Sequence, residues 1–195
     1  MNKAIENKVE AVKDPMSLLE DIKNDSLQQD LPPVDDWHPE HCGDSEICIR
    51  RDGTWTHQGD LFKREKLVKM FSRIIRLDND GKYYLVTPVE KMLLAVEDVP
   101  FLVVGFDIVV NEGVQKVVFE TSLGDQVVVD AEHPVTVLTA NDEPAPYVVV
   151  RKNLKARIAR SVFYQLIDVA VSEQQGAENV LFLESSGERF ELGRF

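Results

Sequence analysis

Apolar positions recur along this chain in two rhythms, and each predicts its own kind of element. Ile47 and Ile49 alternate with Cys48 and Arg50, and Asp52-Gly53 is a strong turn pair before Thr54–His57, so residues 47–57 read as a hairpin. From Lys63 the period changes: Leu67, Met70, Phe71, Ile74 and Ile75 recur at three- and four-residue steps, which predicts a helix from Lys63 to Arg76. Asp78-Asn79-Asp80-Gly81 ends it and turns the chain. Tyr83–Thr87 reads as a strand with Pro88 at its end or edge, and Glu90–Val96 as a further strand or a helix. From Phe101 the alternation returns, in a meander of strands near 101–110, 114–121, 126–130, 134–139 and 146–151, broken by Asn111-Glu112-Gly113 and Gly124-Asp125. A second helix is expected over Asn153–Val171, with Asn153 as N-cap and Leu154, Ile158, Val162, Leu166 and Val169 as its apolar stripe. Val180–Leu183 and Arg189–Leu192 close the chain as strands.

The order of these elements suggests a repeat. Hairpin, basic helix and strands describe residues 46–97; meander, basic helix and strands describe 101–192. The expected fold class is α+β, a duplicated unit of curved antiparallel sheet plus one main helix, with halves at 31–99 and 100–195. Residues 1–30 read as a tail or an accessory helix, with Leu18, Leu19 and Ile22 on one side of a short amphipathic stretch near Ser17–Ile22. Leu31-Pro32-Pro33 stops any helix there.

Composition narrows the function classes. The chain has 195 residues, 44% of them hydrophobic and 29% charged, which suits a globular protein with a real core. No apolar run reaches the ~18 residues of a membrane span, and the N-terminus lacks the apolar stretch of a signal peptide; a cytoplasmic protein is the expectation. Two cysteines are too few for a disulfide framework. The net charge of −12 argues against general nucleic-acid binding. Charge is laid out in blocks: −8 over residues 1–60, +4 over 61–91, −9 over 92–150 and +1 over 151–195. Two locally basic islands in an acidic protein point to an anionic ligand better than the total does.

In the first island, Lys63, Arg64, Lys66, Lys69, Arg73 and Arg76 have only Glu65 among them. In the second, Arg151, Lys152, Lys155, Arg157 and Arg160 crowd the start of the expected second helix, where positive charge opposes the helix dipole and free N–H groups attract anions. The familiar phosphate cradles, G-x-G-x-x-G and the Walker loop, are missing, as is the G-x-S-x-G elbow. His38, His41, Cys42 and Cys48 fit no familiar zinc spacing, and Cys42 has no evident activating base. No metal and no cofactor is implied. Glu97-Asp98 and Asp142-Glu143 are adjacent carboxylates of a kind commonly found on solvated surfaces.

Several segments carry a family resemblance: LPP at Leu31–Pro33, CGD at Cys42–Asp44, RDGTW at Arg51–Trp55, YYLVTPVEK at Tyr83–Lys91, VED at Val96–Asp98, DAEHP at Asp130–Pro134 and VFYQL at Val162–Leu166. Over about residues 31–193 the chain resembles domain-of-unknown-function family 1285, a bacterial family. The resemblance implies a duplicated α+β unit whose C-terminal half is loosely similar to pleckstrin-homology domains. It also implies a pocket between the halves for a nucleotide-like ligand, and a role in signalling. Joined to the charge layout, it leads to the expectation of a non-catalytic, ligand-responsive protein that binds a phosphorylated small molecule of nucleotide type between its halves. Arg151, Arg157 and Arg160 would meet phosphate, Lys91 and His133 would add donors, and Tyr84 would stack a base. The alternatives are a hydrolase of such a ligand, or a module binding a protein partner through the pleckstrin-like half.

Overall fold

The computed structural model describes residues 31–111, 113–140 and 143–195. The expected N-terminal tail or accessory helix lies outside them. Strand accounts for 55% of the structure and helix for 11%, so the α+β expectation is corrected: the fold is mostly β, with two short helices among the described residues.

The first half builds a six-stranded sheet from β1 (His41–Ile49), β2 (Trp55–His57), β3 (Asp60–Leu61), β4 (Ile75–Leu77), β5 (Tyr83–Val86) and β6 (Glu90–Val96). Their order is β3-β2-β1-β6-β5-β4. Neighbours are antiparallel except the central pair, β1 and β6, which run parallel. Alternation decides the inward face: Ile47, Ile49, Met92 and Leu94 are buried. Between β3 and β4 the chain forms helix α1 (Glu65–Arg73), which buries Val68 and Phe71. It is shorter than the helix expected over Lys63–Arg76, because Ile74 is its C-cap and Ile75 already belongs to β4. Both residues are fully or nearly fully buried, so either period accounts for them.

The second half repeats the plan with β7 (Phe101–Asn111), β8 (Val114–Thr121), β9 (Gln126–Val128), β10 (Val135–Ala140), β11 (Glu143–Arg151) and β12 (Leu154–Ile158). The order is β10-β11-β12-β7-β8-β9, and its first and sixth strands, β7 and β12, again form the parallel central pair. Each sheet is thus two three-stranded meanders joined through the first and last strands of its half. The helices are not part of the shared plan: α1 falls between the third and fourth strands of its half, whereas α2 (Arg160–Asp168) follows the sixth strand of the other.

That placement overturns the helix expected over Asn153–Val171. Leu154, Ala156 and Ile158 are buried at a period of two, so this stretch is β12. Lys152, at φ +51°, forms the turn before it. Asn153 caps no helix and donates its side-chain N–H to Leu77 O at 3.1 Å. Helix α2 starts only at Arg160, with Ala159 at its N-cap and no side-chain cap. Residues 151–157 therefore do not crowd a helix N-terminus, and the dipole argument for an anion site there fails. After α2 the chain forms a three-stranded sheet, β13 (Val171–Gln175), β14 (Glu178–Ser185) and β15 (Glu188–Arg194). With a parallel pair at the centre of its sheet and this addition beyond its helix, the C-terminal half does not carry the expected pleckstrin-homology likeness.

One continuous core joins the halves, from Ile47, Phe71 and Leu85 to Val103, Phe119 and Leu166. Gly53 shows how closely they meet: at φ +82°, a Cβ there would lie 3.2 Å from Leu102 Cβ, so the first hairpin turn sits against the second half. The connection itself is clamped at Asp98. Its carboxylate receives Arg157 Nη1 at 2.7 Å and the Tyr147 hydroxyl at 3.0 Å, while Arg51 stands 3.9 Å away.

Candidate ligand cleft between the halves

Where the β4–β5 turn of the first half faces the β11–β12 turn of the second, the surface opens into a cleft of about 610 Å³. The floor is set by the sharp turn after β4. Asp78 N–H donates to Lys82 O and Gly81 N–H to Asp78 O, both at 3.0 Å, and Gly81 takes φ +76°. This leaves the carboxylates of Asp78 and Asp80 at the cleft. Arg76, at the middle of β4, reaches Asp78 through Nε at 2.5 Å and spends Nη1 on Val34 O and Trp37 O at 2.7 and 2.8 Å. Its role is to tie the lead-in segment 31–40 to the sheet. Lys91, from the adjoining strands, donates to Asp78 at 2.9 Å and sits 4.2 Å above the Tyr84 ring. The Tyr84 hydroxyl donates to Asp80 at 2.7 Å. Across the cleft, Lys152 pairs with Asp35 and Asn153 holds Leu77 O.

The acids are therefore already satisfied. Burial pushes Asp78 up, but the hydrogen bonds from Arg76 and Lys91 outweigh it and hold its carboxyl below the usual range. The Tyr84 hydroxyl and the Lys82 N–H do the same for Asp80, and the Tyr84 phenol is pushed up to about 12 by the bond it gives that carboxylate. The donors that remain are cationic. Lys91 has two N–H groups beyond the one on Asp78, and Lys152 is half exposed. His38 directs Nδ1 to Asp36 O at 2.9 Å, which leaves Nε2 as a donor once the ring is protonated.

A pH dependence follows from Asp78. Its folded pKa lies below its unfolded value near 3.9, so the folded state binds fewer protons than the unfolded state in that range. Its stabilisation is fully present above about pH 4 and is lost as pH falls through the folded pKa. Urea melts of wild type and Asp78→Asn between pH 7 and pH 3 should converge toward acid, with wild type falling more steeply. Parallel slopes would show that the contacts seen here do not shift this group.

Of the six residues expected to bind ligand, Lys91 lines the cleft, and Tyr84 lies beneath it, outside the lining. Tyr84 is 6% exposed with Lys91 over its ring, so the stacking role assigned to it is not open to it. Arg151 turns inward, donating to Ser72 O and lying 4.8 Å above the Phe101 ring; burial lowers its pKa. Arg157 is engaged by Asp98. Arg160 is exposed and donates to the Tyr164 hydroxyl at 3.0 Å; with Arg157 it lines a separate hollow of about 110 Å³. His133 is held by Asp130 at 2.9 Å. Among the described residues, no three His, Cys, Asp or Glu side chains gather as a metal site, and Cys42 and Cys48 are free thiols. The reading from sequence alone missed Asp78, and it left Lys152 and His38 out of the expected ligand set, although it counted Lys152 in the second basic island and weighed His38 for zinc. The only trace of Asp78 and Asp80 was the turn signal Asp78–Gly81; Lys152 carried no sign of facing Asp35.

The division between the halves is also a division between family models. Residues 32–99 match the model described as "Domain of unknown function (DUF1285), N-terminal domain", and residues 100–192 match "Protein of unknown function (DUF1285), C-terminal domain". The chain belongs to the DUF1285 family. Two DUF1285 crystal structures resemble it. One, from Silicibacter pomeroyi DSS-3, is 37% identical with a TM-score of 0.76, covering 90% of this chain and 93% of its own. The other, from Shewanella baltica OS155, is 26% identical with a TM-score of 0.50, covering 63% of this chain and 90% of its own. No protein of curated function matches the chain. No helix among the described residues is long and apolar enough to cross a membrane.

Proposed function

We propose that this DUF1285 protein is a non-catalytic, ligand-responsive signalling protein of the cytoplasm that binds a phosphorylated small molecule, of nucleotide type, in the cleft between its halves. The observation that carries this reading is the convergence of Lys91 and Lys152, from opposite halves, on one open cleft of about 610 Å³ whose carboxylates are already hydrogen-bonded. A phosphate there would gain charge-assisted hydrogen bonds from two lysines, and its binding would bridge the halves. The cationic part of the site passes from Arg151, Arg157 and Arg160 to Lys152, which joins Lys91.

Thermal melts with inorganic pyrophosphate and a panel of nucleoside mono-, di- and triphosphates test this. At a ligand concentration about a hundred times Kd the gain is about 2.7 kcal/mol, which for this chain length is roughly 5–10 °C in Tm. Lys152→Ala should weaken binding by roughly ten- to a hundred-fold, the loss of one charge-assisted bond of about 1.5–3 kcal/mol. Arg160→Ala should leave affinity unchanged. No shift with any phosphate would refute the reading, and loss of binding in Arg160→Ala but not Lys152→Ala would move the site to the hollow beside α2. Phosphate release in the same samples would replace it with the hydrolase.

A further inference from the structure

A second hollow, of about 350 Å³, opens between α1, the β2–β3 hairpin and the β8–β9 turn. It shares no lining residue with the phosphate cleft. Trp55 and Val68, both more than nine-tenths buried, line it together with Leu61, Phe62 and Leu123. The fold itself holds these walls in place. Phe62 N–H donates to Trp55 O at 2.8 Å, and the Phe62 ring meets Phe71 edge-on with centroids 5.9 Å apart. On the other side, Ser122 N–H donates to Leu102 O at 2.8 Å and Gly124 N–H to Thr121 O at 2.9 Å, which fixes the turn that bears Leu123. A preformed, mostly apolar hollow of this size falls within the roughly 300–1,000 Å³ of small-molecule sites, where a few polar groups choose the ligand.

Two of the residues lining this hollow are charged, and their signs are opposite: Glu65 and Lys69, one turn apart on the exposed side of α1. Side chains at that spacing are neighbours and readily pair. Here they stand apart, and neither has an ion-pair partner among the described residues. Lys69 reaches instead toward the β8–β9 turn, where its Nζ would lie 3.6 Å from a Cβ at Gly124. A ligand bearing one carboxylate would be drawn by Lys69 and repelled by Glu65, and a simple amine the reverse. A molecule with an ammonium and a carboxylate on one carbon, and an apolar side chain, complements both charges and the apolar walls at once.

We propose that this hollow binds a free apolar amino acid, with its ammonium on Glu65, its carboxylate on Lys69 and its side chain against Trp55, Phe62 and Leu123. The bound amino acid bridges the halves, since α1 belongs to the first and Leu123 to the second.

Trp55 reports on the site directly, because the chain has two tryptophans. In a Trp37→Phe background, phenylalanine and leucine should each give a saturable change in tryptophan fluorescence. Melts of the unaltered chain give a second readout, in which phenylalanine should raise Tm. N-acetylphenylalanine, which lacks the ammonium, and phenylalanine amide, which lacks the carboxylate, should each bind roughly ten-fold or more weakly. Glu65→Gln should remove most of the preference over N-acetylphenylalanine and keep that over the amide; Lys69→Gln should do the converse. Both positions are exposed, so neither change should disturb folding. Pyrophosphate should not displace phenylalanine. No response in either readout to any apolar amino acid up to about 10 mM would overturn the proposal. So would equal binding of the blocked compounds, or a discrimination that both variants leave unchanged. Displacement by pyrophosphate would also overturn it, placing the amino acid in the other cleft.

Discussion

Phe71→Ala lowers the melting temperature by roughly 6–20 °C, from a cost of about 3–5 kcal/mol at roughly 2–4 °C per kcal/mol. Phe71 is fully buried, and the Phe62 ring meets it edge-on with centroids 5.9 Å apart. Its helix cannot compensate from within. Helix α1 has nine residues and no side-chain N-cap, and helices this short are held by the apolar face they bury rather than by their own hydrogen bonds. Removing Phe71 takes away the largest part of that face and leaves a cavity between α1 and the first sheet. Phe71→Leu, which keeps most of the volume, should lose less than half as much. A thermal or urea melt decides the matter: a shift of less than about 2 °C for the alanine variant would mean that α1 is not anchored through this ring.

The second large effect is expected at the connection between the halves. Asp98→Ala should cost roughly 2–3 kcal/mol, or about 4–12 °C, because it leaves the part-buried Arg157 guanidinium and the Tyr147 hydroxyl without their acceptor. Arg157→Ala should do less harm, since Asp98 keeps Tyr147 and has Arg51 nearby. The double variant should be milder than the sum of the two, by the coupling energy of a direct ion pair. Tyr147 gives a separate readout. Its phenol is pushed up by burial and by the bond it donates to Asp98, so Asp98→Ala should move its ultraviolet titration toward lower pH. Additive losses and an unmoved tyrosine titration would mean that the clamp is not made in solution.

The cleft and the clamp illustrate which contacts leave no local trace in a sequence. Lys91 and Asp78 are 13 residues apart and Arg157 and Asp98 are 59 apart; Lys152 meets Asp35 across 117. Nothing near Arg157 in the chain announces Asp98, so an arginine that is neutralised reads like one that is free. The arginines of the second basic island part ways for this reason: Arg151 donates to a backbone carbonyl, Arg157 to a carboxylate, and Arg160 stays exposed at a helix start.

Local pattern was enough wherever only one period fitted. The meander from Phe101 to Arg151 was legible because its residues alternate between a buried and an open face and glycine marks its turns. The hairpin at Asp52-Gly53 was legible because few residue pairs suit a tight turn. Two stretches admit both periods. Leu154 and Ile158 stand four apart, which is one helical face and also one strand face, and Ile74-Ile75 are apolar under either reading. There the tertiary structure decided: β7 offered β12 an open edge for a parallel pair, and β5 offered one to β4. Backbone groups buried beside an unpaired edge are satisfied by joining the ladder, and that outweighs a helix propensity worth a few tenths of a kcal/mol per residue. By itself the sequence determined the first hairpin, the strands of the meander and the family, while it led to an α+β expectation where the fold is mostly β. The parallel centre of each sheet, the shortness of the two helices among the described residues and the partners of Arg76, Arg151 and Arg157 were settled only when distant segments met.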